Sequence, residues 1–356
     1  VKADDLGFKV LLVNFKEIDE PLFELISNNQ YTEISYAVND DEDFNIDFYC
    51  RLYNLNLVYV TNNSEVFTGY LVNMANFKLQ KIIFKKASDT FLDESRVSQN
   101  ETLIKVTQIA EQNFDHPGAE HIVKLVYTNK NITLLEQLQK EGNLAYPLAK
   151  FAKPHCAKIF LHALADVSEA YSLLAEYGLV PFDGTLYNIV ITDRGGVLVD
   201  IGSFLDLNSD IHKVYPQDQT NALECHKKNG NKFTIIGSEP FYDRNCLLEN
   251  AKASIDLENS AKISLAFCLG KFLASNNFID PIFFKAVESF KNVDRRIVPL
   301  PKLQSHDRHN QPNEKIKEIY DLFLELIEYW YDYKTEKENL SLMEIAKRMR
   351  KISDHT

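Results

Sequence analysis

Short runs of β-branched and aromatic residues give way to long helical stripes near residue 140 of this chain. Ahead of that point "FKVLLVNF" (8–15) has the composition of a strand and "NDDEDFNIDF" (39–48) that of an acidic loop. "LNLVYVTNNSEVFTGYLVNM" (55–74) reads as two strands around a "TNNS" turn, and "KLQKIIFKKAS" (78–88) as a third strand. From Asp93 to Phe114 the spacing is helical, with Leu103, Ile104, Val106, Ile109 and Ala110 as the apolar stripe. "EHIVKLVYTNKNITLLEQL" (120–138) returns to strand, turn and strand.

Behind residue 140, "HCAKIFLHALADVSEAYSLLAEYG" (155–178) predicts one long helix stopped by Gly178, as a glycine just past a helix end does. "LVPFDGTLYNIVITDRGGVLVDIGSF" (179–204) contains a strand–turn–strand unit turning at "DRGG". Beyond Leu205 the pattern predicts only loop and helix. A polar stretch runs to Phe233, followed by helices in "AKISLAFCLGKFLA", "DPIFFKAVESF", "KIKEIYDLFLELIEYWYDY" and "LSLMEIAKRMRKI". The aromatic stripe "YDLFLELIEYWYDY" is read as core packing. A β-rich part with one main helix, followed by a mostly helical part with one small hairpin, is an α+β order with two lobes. The expected lobes are 51–140 and 141–356, with residues 1–50 as an extension packed on or continuing the first. A cleft between lobes is a usual place for a ligand.

Composition narrows the partners. The net charge of −12 opposes nucleic-acid binding, which needs a basic field. No run approaches the roughly 18 apolar residues of a membrane span. Five scattered cysteines, Cys50, Cys156, Cys225, Cys246 and Cys268, form no CxxC pair and fit a reducing compartment, such as cytoplasm. The chain does not begin with Met, which leaves room for a leader removed by processing. The histidines show no metal-ligand spacing.

The chemistry concentrates in 179–204. Asn188 precedes one strand of the hairpin and Asp200 follows its partner, so the turn brings the two together. Asp183 lies in the loop leading in. Oxygen ligands from an Asp and an Asn suit Mg²⁺, and a further Asp can accept a proton from a hydroxyl nucleophile. The plainer alternative is that short polar residues simply cap the hairpin ends.

Over most of residues 55–350 the order of motifs resembles the eukaryotic-type protein kinase superfamily. Asp183 falls at that family's catalytic Asp, Asn188 at its metal-binding Asn and Asp200-Ile201-Gly202 at its Asp-Phe-Gly triplet. "KIIFKKA" resembles the Val-Ala-Ile-Lys strand and places Lys85 at the lysine holding the α- and β-phosphates. "EVFTGYL", with Val66, resembles the strand after the glycine-rich loop, and Ser64 stands at a loop position. Glu136, Gln137 and Leu138 match the interlobe hinge, whose backbone binds adenine. "IIGSEPFYDRN" (235–245) resembles the segment that receives a peptide substrate. The resemblance implies a bilobal kinase-like fold, ATP and Mg²⁺ as cofactors, and a protein substrate. It also implies a glutamate partner for Lys85, for which Glu101 is chosen over Glu94 and Glu111.

Several family residues are replaced. Tyr59, Thr61 and Ser64 stand where the loop has glycines, which let the backbone approach phosphates. Pro181-Phe182 replace the His-Arg before the catalytic Asp, removing the Arg that pairs with a phosphorylated activation loop. Thr185 replaces a lysine, and Ala261 an Asp that braces the catalytic loop. The expected function is an atypical ATP-dependent kinase in which Lys85, Asp183, Asn188 and Asp200 are retained. The alternatives are a pseudokinase serving as a nucleotide-binding or scaffolding module, a small-molecule phosphotransferase, and an AMP transferase. The divergence and Asn/Lys-rich usage are those expected of a bacterial or parasite effector acting inside a host cell.

Overall fold

A computed structural model describes residues 31–35, 49–60, 64–73, 78–87, 93–128, 132–140, 143–208, 211–216, 222–227, 232–236, 257–284, 298–304, 314–331 and 340–354. It is a mixed α+β structure with antiparallel sheets. The chain divides into two compact units, Val1–Ser88 with Ile132–Gln137, and Asp89–Asn131 with Leu138–Thr356.

Strand-forming runs rich in β-branched and aromatic residues build the smaller unit. The first six strands are β1 (Tyr31–Ser35), β2 (Tyr49–Val60), β3 (Ser64–Asn73), β4 (Lys78–Ala87), β5 (Leu125–Thr128) and β6 (Ile132–Glu136). Within this unit β1, β2, β3, β4 and β6 pair antiparallel in that order. On β4, Ile82 and Phe84 are buried while Lys81, Ile83 and Lys85, pointing the other way, are less so, the period-2 pattern of a strand. Phe84 lies 5.5 Å from the Phe67 ring on β3. The strand expected at 8–15 and the acidic loop at 39–48 lie outside the described residues.

Among the described residues, five α-helices carry the larger unit: α1 (Asp93–Gln112), α2 (Ala157–Glu176), α3 (Asn259–Ser275), α4 (Glu314–Tyr331) and α5 (Leu342–Asp354). Helices α2 and α3 are apolar nearly all round and are buried along most of their lengths, as such helices must be. They meet through Phe160 and Phe272, whose ring centroids are 4.8 Å apart. Helix α4 is amphipathic, and its stripe of Ile319, Leu322, Phe323, Leu326 and Trp330 is core. Trp330 packs edge-on against Phe267 of α3 at 5.8 Å. No helix among the described residues is long and apolar enough to cross a membrane.

Four short strands follow α2: β7 (Leu179–Pro181), β8 (Ile189–Thr192), β9 (Gly195–Leu198) and β10 (Phe204–Asp206). After them, residues expected to be loop form a three-stranded antiparallel sheet of β11 (Ile211–Pro216), β12 (Ala222–Lys227) and β13 (Lys232–Ile236). A bulge between Ile211 and Lys213 breaks the period-2 pattern there, and His212, Lys213, Glu224 and His226 dilute the apolar signal. The stripe on α1 is also narrower than its sequence pattern, because Ile104 is 42% exposed while Leu103, Val106 and Ile109 are buried. Helix α1, expected within residues 51–140, goes with the larger unit.

Candidate functional site

The loop carrying Asp183 starts where α2 must stop. Gly178 has φ of +74°, a left-handed conformation that frees the chain to leave the helix as β7. Strand β7 pairs antiparallel with β10, Pro181 opposite Phe204, so residues 182 onward and those before 204 emerge from the same end of the ladder. Strand β8 pairs antiparallel with β9, Ile189 opposite Leu198, and the Val199 amide donates to the Asn188 carbonyl at 3.0 Å. Two local ladders thereby deliver Asp183, Asn188 and Asp200 from adjoining strand ends.

The side chains are ordered by one amide. Asn188 Nδ2 donates to the Asp183 carbonyl at 2.8 Å and to Asp183 Oδ2 at 2.7 Å. Because its nitrogen is committed to Asp183, Asn188 can offer a cation only Oδ1. The Asp183 carbonyl also accepts from the Thr185 amide at 2.9 Å, and the Thr185 carbonyl accepts from the Asn188 amide at 3.0 Å. Asp200 opens a short 3₁₀ turn, Ile201–Ser203, and its carbonyl accepts from Ser203 Oγ at 2.8 Å. The Asp200 carboxylate makes no capping bond to that turn. Asp183, Asn188 and Asp200 are all partly buried. An amide oxygen beside a carboxylate is a donor set that fits Mg²⁺.

Phe182 is fully buried, and Tyr171 of α2 lies 6.0 Å from the Phe204 ring. The aromatic residue before Asp183 is therefore a core residue. Ser264 and Cys268 of α3 reach the loop at Gly184, one turn apart and one and two turns beyond buried Ala261. Burial pushes the Cys268 thiol up to about 12, with Lys271 acting in the opposite direction. The sequence signal for these residues is weak: two small residues four apart on an apolar helix.

Helix α1 is tied to the same strand pair. Lys105 Nζ lies 2.6 Å from Asp206 Oδ2, and the Asn208 amide donates to Asp206 Oδ1 at 2.9 Å. Asn208 Nδ2 donates to the Tyr177 carbonyl, and Tyr177 Oη donates to Asn113 Oδ1 at 3.0 Å. Glu101 is exposed on α1, one turn before Lys105. Glu111 is also exposed, and the side chain of Glu94 lies outside the described residues.

The other expected nucleotide residues belong to the smaller unit, apart from Leu138. Lys85 on β4 pairs with Val66 of β3 and Thr133 of β6, so Val66, Lys85 and Thr133 stand side by side on one face. Val66 is buried and Lys85 partly so. Ser64 opens β3 opposite Ala87, and residues 61–63 before it lie outside the described residues. Glu136 ends β6 opposite Ile82, and the Gln137 amide donates to the Lys81 carbonyl at 3.2 Å. Leu138 is the first residue back in the larger unit, and its carbonyl accepts from the Ala145 amide at 3.3 Å. Most of the peptide-receiving segment expected at 235–245 lies outside the described residues.

A second polar cluster has no sequence signature. His121, Asp166 and Glu169 offer ligand atoms within 4.8 Å of one another. Arg350 of α5 occupies their carboxylates, donating to both Glu169 oxygens and to Asp166 Oδ1 at 2.9 Å. The Gly196 amide donates to Asp166 Oδ2 at 2.9 Å, which binds the hairpin to α2. The guanidinium accounts for this cluster as a structural ion pair. In comparisons with known proteins, no family model and no curated protein matches this chain.

Proposed function

We propose that this protein is an atypical, Mg²⁺- and ATP-dependent kinase of bilobal kinase-like fold that transfers the γ-phosphate to a hydroxyl of a protein substrate. The observation that carries the reading is the Asn188 amide, which holds both the main-chain carbonyl and the carboxylate of Asp183. It orders a proton acceptor and leaves an amide oxygen for a cation, beside the strand end that bears Asp200.

In the proposed reaction the acceptor hydroxyl oxygen bonds to the γ-phosphorus as the bond to the β–γ bridging oxygen breaks. The hydroxyl proton passes to Asp183 Oδ, and ADP leaves. Asn188 Oδ1 and the Asp200 carboxylate would hold Mg²⁺, which neutralises phosphate charge when bound. The motif resemblance adds Lys85 as the ammonium for the α- and β-phosphates, Glu101 as its partner, and Glu136 to Leu138 as the adenine-binding backbone. It also supports a peptide acceptor through "IIGSEPFYDRN". Phe182, buried where an arginine would read a phosphate, supports a kinase not switched by activation-loop phosphorylation.

The test is incubation with Mg²⁺ and ATP labelled separately at the γ and α positions, wild type beside Asp200→Ala. Label from the γ position in wild type alone supports the reading. Label from the α position moves it to nucleotidyl transfer. ATP binding with neither label leaves a pseudokinase, and absence of both transfer and an ATP thermal shift removes the nucleotide site altogether.

A further inference from the structure

Asp183 is held from the side by Asn188, and its neighbour Gly184 is held from below by two helices. A methyl group on Gly184 would meet Ser264 Oγ at 2.2 Å, Ser264 Cβ at 2.6 Å and Tyr171 Oη at 2.9 Å. The Cys268 thiol donates to the Gly184 carbonyl at 3.5 Å. Tyr171, Ser264 and Cys268 are each 1% exposed. Hydroxyls so deep in an aliphatic core are costly unless hydrogen-bonded, and Ser264 and Tyr171 bond to one another. Burial, then Cys268 and the Asp183 carboxylate, push the Tyr171 phenol above its ordinary range, so it stays a neutral hydroxyl.

We propose that Ser264 and Tyr171 are positioning residues for Asp183, their paired hydroxyls forming a socket under Gly184 that sets where the Asp183 carboxylate lies. The inference rests on the reading of Asp183 as the group that orients the acceptor hydroxyl. Its physical basis is leverage. Consecutive Cα atoms are about 3.8 Å apart, so a shift of the Gly184 backbone moves the Asp183 carboxylate almost as far. A misplacement of about 1 Å at a reacting group lowers a rate about 100-fold. Only glycine fits the socket closely enough for the backbone to rest on the two hydroxyls. Small residues four apart on α3, with a tyrosine on α2, form the floor in place of one charged brace.

Tyr171→Phe and Ser264→Ala each remove a single oxygen, and Ser168→Ala is the matched control. Ser168 is equally buried on α2, but its hydroxyl donates to the Leu342 carbonyl at 2.8 Å. Hydrogen exchange of the Thr185 and Asn188 amides reports the loop without any turnover. The expected result is faster exchange at both amides, by about 10-fold or more, in each socket variant and not in Ser168→Ala, the energy of about one hydrogen bond. Mg²⁺–ATP affinity should stay within about twofold, while kcat for γ-label transfer falls about 10- to 100-fold at unchanged KM. Loop exchange unchanged in both socket variants, or raised equally by Ser168→Ala, overturns the inference. A wild-type protein that transfers no label would instead overturn the kinase reading, while the exchange data still decide whether the socket holds the loop.

Discussion

Lys105 and Asp206 form an ion pair of 2.6 Å between helix α1 and strand β10, on the strand pair that also presents Asp183. The Asn113–Tyr177–Asn208 chain of hydrogen bonds ties the end of α1 to the same region. This fixed pair of opposite charges, with those hydrogen bonds, holds the helix on the strand pair. Both side chains keep partial solvent access, so the pair is worth about 0.5–1 kcal/mol. Lys105→Ala, Asp206→Ala and the double variant, compared by denaturant unfolding, should give a coupling energy in that range. The charge swap Lys105→Asp with Asp206→Lys should restore most of it, and 1 M salt should reduce it.

Phe182→Arg restores the arginine of the resemblance but puts a charge into a site with no exposed surface. Burial of an unpaired guanidinium and loss of aromatic packing should destabilise the fold by about 3–5 kcal/mol. Thermal unfolding measures this directly. A variant of unchanged Tm would show that residue 182 is not core.

The proposed roles of the two aspartates separate in binding and turnover. Asp183→Asn keeps the acceptor for Asn188 Nδ2 but cannot take a proton, so γ-label transfer should fall about 100- to 10,000-fold with Mg²⁺–ATP binding retained. Asp200→Ala should lose the Mg²⁺-dependent part of ATP binding itself. Equal losses of affinity in both variants would reject this division of labour.

Arg350 is the cation for two acidic groups that are nearly buried, Asp166 and Glu169. Arg350→Ala leaves them facing each other uncompensated. The expected loss is about 2–3 kcal/mol, below the value for a fully buried pair because Arg350 itself is about one-third exposed. The Tm of wild type should be indifferent to EDTA, and a fall in Tm on chelation would reassign the cluster as a metal site.

Helix α5 begins with a capping box. Ser341 Oγ accepts from the Glu344 amide at 3.3 Å, and Glu344 Oε2 accepts from the Ser341 amide at 2.8 Å. The Ser341 amide and, at 2.9 Å, the Ser341 hydroxyl both donate to Glu344 Oε2 and hold the Glu344 carboxyl below its ordinary 4.5. A depressed folded-state value contributes stability above the unfolded value and loses it as pH falls through the folded one. The Tm difference between wild type and Glu344→Ala should therefore be present at neutral pH and shrink on acidification below 4.5.

What the sequence determined by itself is local. The β-rich runs of β2 to β4, the stop of α2 at Gly178 and the hairpin at "DRGG" each depend on residues within a few turns or one short ladder. The meeting of the Asn188 and Asp200 strand ends was legible for the same reason, because a tight hairpin leaves little freedom. The hydrogen bonds from Asn188 Nδ2 to Asp183, in contrast, carried no sequence signal. Tertiary structure alone decided what holds that loop and its neighbours. Cys268 meets Gly184 across 84 residues, Lys105 meets Asp206 across 101, and Arg350 meets Asp166 across 184. Ser264 on an apolar helix and Phe182 before an aspartate carry no local signal, since periodicity reports which face is buried and not which residue lies against it. The three strands 211–236 escaped the sequence pattern for a different reason: their ladder partners are one another, but a bulge and interspersed charges erase the alternation.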